Sequence, residues 1–177
     1  GGNPNLDPFR ATALDLSYEK YFGKKKGYVS IAAFYKNLDS YIFDYTDPNF
    51  DFKNLPDLKA SPGTVLPIST IGKFSQPRNG SGGSISGIEF AVSVPFAMMS
   101  PALDGFGLQA NIAKTNSEIK PFGDGDTRPL PGLSKDTNSI TAYFEKYGFQ
   151  TRITRRSRSD FLGEIQGFGA NRETKYI

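Results

Sequence analysis

The fold class predicted for this chain is all-β: an antiparallel meander forming part of a transmembrane β-barrel. Three observations carry that expectation. Six segments alternate apolar and polar residues with period two, the signature of a strand with one apolar face. Their connections are alternately short and long, so the long ones gather on one edge of the meander. Aromatic residues flank each short connection, where amphipathic rings sit at lipid headgroups.

In chain order, the first segment runs Ala13–Phe22, with Leu14, Leu16 and Tyr18 on one side and Asp15, Ser17 and Glu19 on the other. The second starts at Tyr28, with Val29, Ile31, Ala33 and Tyr35 against Ser30, Ala32 and Lys36. The third sets Ile88, Phe90, Val92 and Val94 against Gly87, Glu89, Ala91 and Ser93, and the fourth sets Phe106, Leu108, Ala110 and Ile112 against Gln109 and Asn111. The fifth places Ile140, Ala142 and Phe144 opposite Thr141, Tyr143 and Glu145, and the sixth places Phe149, Thr151 and Ile153 opposite Gln150, Arg152 and Thr154.

The short connections are Gly23–Gly27, Ala97–Gly105 and little more than Gly148; the long ones are Thr46–Gly83, Ser117–Lys135 and Asp160–Arg172, the last leading to a seventh start at Glu173. Tyr21, Phe22 and Tyr28 border the first short turn, Phe96 and Phe106 the second, and Tyr147 and Phe149 the third. Tyr41, Phe43 and Tyr45 are placed to supply part of the opposite girdle. The plainer account of these rings is that aromatics form strands well and pack near hairpin ends.

Composition limits the alternatives. The 177 residues are 37% hydrophobic, and mean hydropathy is −0.42, low for a helical membrane protein and ordinary for a barrel whose every second residue faces water. No apolar run approaches the roughly 18 residues of a membrane helix. With no Cys and no His, thiolate sites, Cys nucleophiles, the commonest general base and the commonest metal ligand are all missing. No enzyme activity, cofactor or metal is expected. The net charge of +3 is too small to indicate nucleic acid, and no nucleic-acid module is recognisable.

The chain starts at Gly1-Gly2-Asn3-Pro4 and stops at Tyr176-Ile177 inside what reads as a fresh strand. Residues 1–177 are therefore expected to be one partial barrel domain, because an open sheet in hydrocarbon would leave unpaired backbone at both edges.

Gly2-Asn3-Pro4-Asn5-Leu6-Asp7-Pro8, followed by Leu14-Asp15-Leu16-Ser17-Tyr18-Glu19-Lys20-Tyr21-Phe22, resembles a stretch in the barrel of TonB-dependent outer-membrane receptors. Tyr28 to Phe43, Ser86–Phe90, Pro129–Lys135, Tyr143–Lys146 and Arg156–Gly163 are similar to later parts of the same barrel, in the same order. The resemblance implies about 22 strands, of which those here are roughly strands 14 to 20, with the plug domain, its TonB box and the final strands outside this segment. It implies a receptor and transporter in the Gram-negative outer membrane that takes up a scarce solute such as a siderophore, vitamin or oligosaccharide. Its partners would be the lipid bilayer, TonB acting through the plug, and that small-molecule or oligosaccharide ligand. The reading from another class is a soluble all-β carbohydrate-binding module.

Candidate ligand-binding residues fall into two sets. Alternation puts Arg152, Arg156 and Arg158 on the water-filled side of the sixth segment, where they can attract an anionic solute or pair with carboxylates such as Glu19, Glu89 and Glu145, or with plug residues. Phe50, Phe52, Phe74 and Arg128 lie on long connections, and the three rings can stack on a ligand or on each other. Arg155 departs from the pattern by falling on the lipid-facing register; a bulge, a position near headgroups or contact with another subunit would each account for it. Gly80–Ser84 reads as a flexible approach to the third segment, Asp124–Thr127 as an exposed turn, and Asn79-Gly80-Ser81 as a formal glycosylation sequon.

Overall fold

The computed structural model describes residues 2–23, 27–54, 63, 69–121, 125–168 and 171–176, with the side chains of 54, 164–168 and 171–176 left undescribed. Eight strands form one sheet among these residues: β1 (Ala11–Phe22), β2 (Gly27–Asp51), β3 (Ile71–Pro95), β4 (Phe106–Lys120), β5 (Asp136–Lys146), β6 (Phe149–Arg158), β7 (Leu162–Phe168) and β8 (Asn171–Tyr176). β1 to β6 pair antiparallel in chain order, which is the expected meander.

The short connections are short in space. Tyr147 and Gly148 both have positive φ, 57° and 78°, giving the two-residue primed turn whose twist suits a hairpin. Lys146 closes on Asp104 at 3.3 Å across the neighbouring connection. Aromatic rings line this end, with Tyr21 6.0 Å from Tyr28, Phe106 4.6 Å from Phe144, and Phe144 6.2 Å from Phe149.

The long side differs from expectation. Half of the connection placed at 46–83 is strand: β2 continues to Asp51, β3 begins at Ile71, and the two pair through most of that extra length. The alternation fails there for a physical reason, since a strand wetted on both faces has no need of an apolar side. Pro48 is accommodated where the register shifts between Asp47 and Phe50. Gly80–Ser84 is not an approach to the third strand but lies inside β3, at the register shift between Ser81 and Gly83. A Cβ on Gly82 would collide with the Leu38 carbonyl of β2, and one on Gly83 with the Glu118 carbonyl of β4, so these glycines admit two neighbouring backbones. Asn79 exchanges hydrogen bonds with the Asp7 backbone, at 2.9 and 3.0 Å, pinning the segment before β1.

The 160–172 connection also contains a strand, β7, and β8 covers the seventh start. These two leave the meander: β7 pairs with β8 and touches β2 in parallel through Tyr45–Gly167 and Thr46–Phe168.

The cross-strand register fixes the geometry of the wall. One row of paired residues runs Lys20, Val29, Val92, Ala110, Ile140, Arg155. It climbs from about two residues above the short-turn end at Lys20 to about six at Arg155, roughly 4 × 3.3 Å over 5 × 4.8 Å, so the strands tilt by about 30°. The same counting measures the apolar band. Its last apolar residues are Leu14, Tyr35, Ile88, Ile112 and Ile140, and Thr12, Asn37, Ser86, Lys114 and Asn138 follow them on the same face. The last apolar residue lies six to eight residues from the short turns on these strands, or about 17–23 Å after foreshortening, approaching the roughly 25 Å apolar belt of an outer-membrane barrel.

This face is bare. Leu14 and Leu16 are each 73% exposed and Ile153 is 79% exposed. A soluble sandwich would cover such a face with a second sheet, and none does so among the described residues. Tyr41, Phe43 and Tyr45 lie about six to ten residues beyond Tyr35, above the belt and not in its girdle. The β5–β6 ladder runs unbroken through Ile140–Arg155, which removes a bulge as the account of Arg155. That residue sits about one dyad step below the upper edge, within snorkelling reach of it.

Among the described residues, buried apolar side chains are few and lie toward the long-loop end: Leu38, Ile119 and Leu162, joined by Ile85, Tyr41 and Leu130. The chain after β4 returns beside it, with Ile119 and Arg128 exchanging backbone hydrogen bonds of 2.8 and 2.9 Å. Residues 129–134 then bulge out of the ladder, tied by Leu130 N–H to Ser117 Oγ (2.9 Å) and Gly132 N–H to the Leu162 carbonyl (2.7 Å).

Candidate functional site

Opposite the apolar band, two rows of the register are polar or small. One is Ser30, Ala91, Asn111, Ser139, Arg156; the next is Ala32, Glu89, Ala113, Thr137, Arg158. Because alanine and serine dominate their centres, the sheet is thin there, and a groove of about 460 Å³ opens across β2 to β6. Arg156 and Arg158 stand on one rim, with Glu89 toward the other. The row from Arg158 to Glu89 crosses three strand spacings, about 14 Å, beyond the reach of an ion pair. The groove therefore presents separated charges with amide and hydroxyl groups of Asn111, Thr137 and Ser139 between them.

The expected carboxylate pairing of these arginines does not occur among the described residues. Glu19 accepts a hydrogen bond from the Tyr21 hydroxyl at 2.9 Å, and Glu145 accepts one from Gln150 at 3.2 Å. The Arg158 guanidinium lies over the Phe161 ring at 4.2 Å, a cation–π contact that holds its head near the rim. Arg152 shares the face but belongs to a lower row, opposite Tyr143, about 13 Å along β6 from Arg156, and does not line the groove.

Phe50, Phe52 and Phe74 come together at the far tip of the β2–β3 hairpin. Phe50 stacks on Phe74 at 4.6 Å, and Phe52 stands edge-on to them at 5.2 and 6.4 Å. Of the two uses open to these rings, the structure displays packing on each other. Asp51 accepts the Lys53 N–H at 3.0 Å, and that bond, aided by Thr70, holds its carboxyl below the usual range. From Phe74 to Ala91 is about 56 Å along β3, so the rings and the groove are separate places.

Arg128 is at neither. Its guanidinium grips the Asp126 carboxylate at 2.6 and 2.9 Å, while its backbone extends the β4 edge. Asp126, in the stretch read as an exposed turn, is thereby tied down, and Asp124 lies outside the described residues.

Sequence reasoning missed Asn111, Thr137 and Ser139. Each is unremarkable alone, and only the pairings of β4 with β5 and of β5 with β6 bring them beside Arg156 and Arg158.

Residues 1–173 match the protein family described as "TonB dependent receptor-like, beta-barrel". No curated protein and no solved structure gives a match.

Proposed function

We propose a function from a firm premise: the chain belongs to the family of TonB-dependent receptor-like β-barrels. That family comprises outer-membrane receptors of Gram-negative bacteria, and residues 1–173 correspond to barrel wall. On our reading this chain serves TonB-dependent uptake of a scarce solute, and the groove lined by Arg156 and Arg158 is the part of the wall that meets it. The observation that supports this is the convergence of two cationic heads with Asn111 and Ser139 on the wet face of the sheet.

The solute class follows from the chemistry. Two guanidiniums on a polar, water-filled face favour carboxylate or phosphate groups, which they bind by forked hydrogen bonds. A siderophore, vitamin or oligosaccharide bearing such groups fits better than a neutral one. The hairpin tip with Phe50, Phe52 and Phe74, and the stretch with Arg128, stand on the long-loop side, where solute arrives.

Uptake by cells producing the full-length receptor tests this. Labelled anionic and neutral ferric siderophores are offered to cells with and without TonB. Uptake requiring TonB is expected, with R156Q/R158Q depressing the anionic solutes more than the neutral ones. Uptake independent of TonB overturns the transport reading, and equal loss for both solute classes overturns the role of the arginines.

A further inference from the structure

The two arginines of the groove are held differently. Among the described residues, Arg156 makes no ion pair and no ring contact, whereas the Arg158 guanidinium rests over the Phe161 ring at 4.2 Å.

Phe161 is itself fixed from both sides. Two residues before it, Ser159 closes the top of the β5–β6 ladder: its N–H donates to the Asp136 carbonyl at 2.8 Å, and its hydroxyl accepts the Asp136 N–H at 3.1 Å. One residue after it, Leu162 is 1% exposed beside Leu38 and Ile119, and its carbonyl accepts the Gly132 N–H at 2.7 Å. A half-buried ring suspended between two such anchors is a fixed platform.

We propose that Phe161 is the positioning residue of the anion site, presenting the Arg158 guanidinium to the solute with its donors unspent. The inference rests on the reading of the groove as the place where solute meets the wall.

A guanidinium stacks through its flat face and hydrogen-bonds through its edge. The ring therefore orders the head without consuming any of its five N–H groups. Arg128 shows the alternative, with Nε and Nη2 both committed to Asp126 at 2.9 and 2.6 Å. Asp160 stands nearer in sequence to Arg158 than Phe161 does, yet no ion pair joins the two among the described residues. Ordering the head in advance removes its rotamer entropy from the cost of binding. The tie from Gly132 to Leu162 makes the platform depend on the 129–134 bulge of the long-loop side.

Citrate, a compact polycarboxylate, serves as the probe. It is titrated against phenylglyoxal modification of the full-length receptor, and mass spectrometry of the peptides reads Arg156 and Arg158 separately. The half-protecting citrate concentration at Arg158 is expected to rise about two- to five-fold in F161L, the factor that an exposed cation–π contact is worth, and to return to the wild-type value in F161Y. In R158Q, where Arg156 still reports, F161L should add nothing. An unchanged value in F161L, or no recovery in F161Y, overturns the proposal. So does a loss at Arg156 when F161L is added to R158Q, because the ring would then act through the shape of the groove. A changed modification rate at Arg152, in its lower row, would mark a merely structural role and overturn it as well. Protection absent from both arginines in the wild-type receptor overturns the anion reading of the groove, and the inference with it.

Discussion

The lower part of the wall and the upper half of the β2–β3 hairpin are built from the same ladder, yet only the lower part alternates. From Val29 to Tyr35 in β2 the face toward Phe90 is apolar and the reverse face is small or polar except at Phe34. From Asp39 to Asp51 the pairing persists, but polar residues fall on both faces. The backbone hydrogen bonds are the same in kind; what changes is the surroundings. Period two is therefore the imprint of two unlike solvents on a strand, and strand formation itself does not require it.

Arginine substitution tests that difference most severely. Ile153 and Ile71 are the same residue at high exposure, 79% and 57%. Ile153→Arg, near the middle of the belt, is expected to cost about 2–4 kcal/mol, and Ile112→Arg, closer to its upper edge, less. Ile71→Arg in the upper hairpin should stay within about 0.5 kcal/mol. Urea titration of the full-length receptor in lipid vesicles measures all three, and equal losses would mean that both regions face the same solvent. Cysteine labelling gives an independent reading. Sites at Ile31, Phe90 and Leu108 should resist a water-soluble reagent while Ser30, Glu89 and Gln109 react, whereas Asp39 and Ser40 should both react.

Next in size is a constraint confined to the upper half. Gly82→Val drives a side chain into the Leu38 carbonyl and should cost about 1–3 kcal/mol, against near neutrality for the exposed neighbour Ser81→Val. The same vesicle titration reads it. If Gly82→Val is also neutral, the close approach of β2 to β3 is not a constraint.

The hairpin tip should respond more weakly and locally. Phe50→Ala removes the stacked and edge-on contacts with Phe74 and Phe52, about 0.5–1.5 kcal/mol, and hydrogen exchange should quicken around Ile71 and Phe74 while β4–β6 are unaffected. Global destabilisation would show that the tip is coupled to the wall.

The smallest effect is pH. Asp51 has its carboxyl held below the ordinary value of 3.8, so its bond to Lys53 N–H is intact above that value and is lost as pH falls through the lower folded value. Exchange at the tip should rise below about pH 4 in the wild type and show no such step in D51N.

The sequence made the lower wall legible because each strand there is sorted residue by residue between hydrocarbon and water. Strand order, turns and the aromatic residues at the short-turn end followed, while Tyr41, Phe43 and Tyr45 did not join an opposite girdle. The upper hairpin was misread as loop because water on both faces erased the signal and proline and glycine suggested breaks. In the candidate site, the side of the strand holding Arg156 and Arg158 was legible from parity alone. The groove was not, since Asn111 and Ser139 reach it only through pairings that link β4, β5 and β6 across distant sequence.

The two-residue turn at Tyr147–Gly148 has a bearing on how the wall assembles. Zipping β5 to β6 closes almost no loop, whereas β2 meets β3 across a connection of nearly twenty residues, and β4 meets β5 across about fifteen. Contacts of low sequence separation form first when stabilities are comparable. The hairpins joined by short turns, β1–β2, β3–β4 and β5–β6, are thus the natural units of addition, and the wall grows in pairs of strands from edges that each new pair both covers and renews.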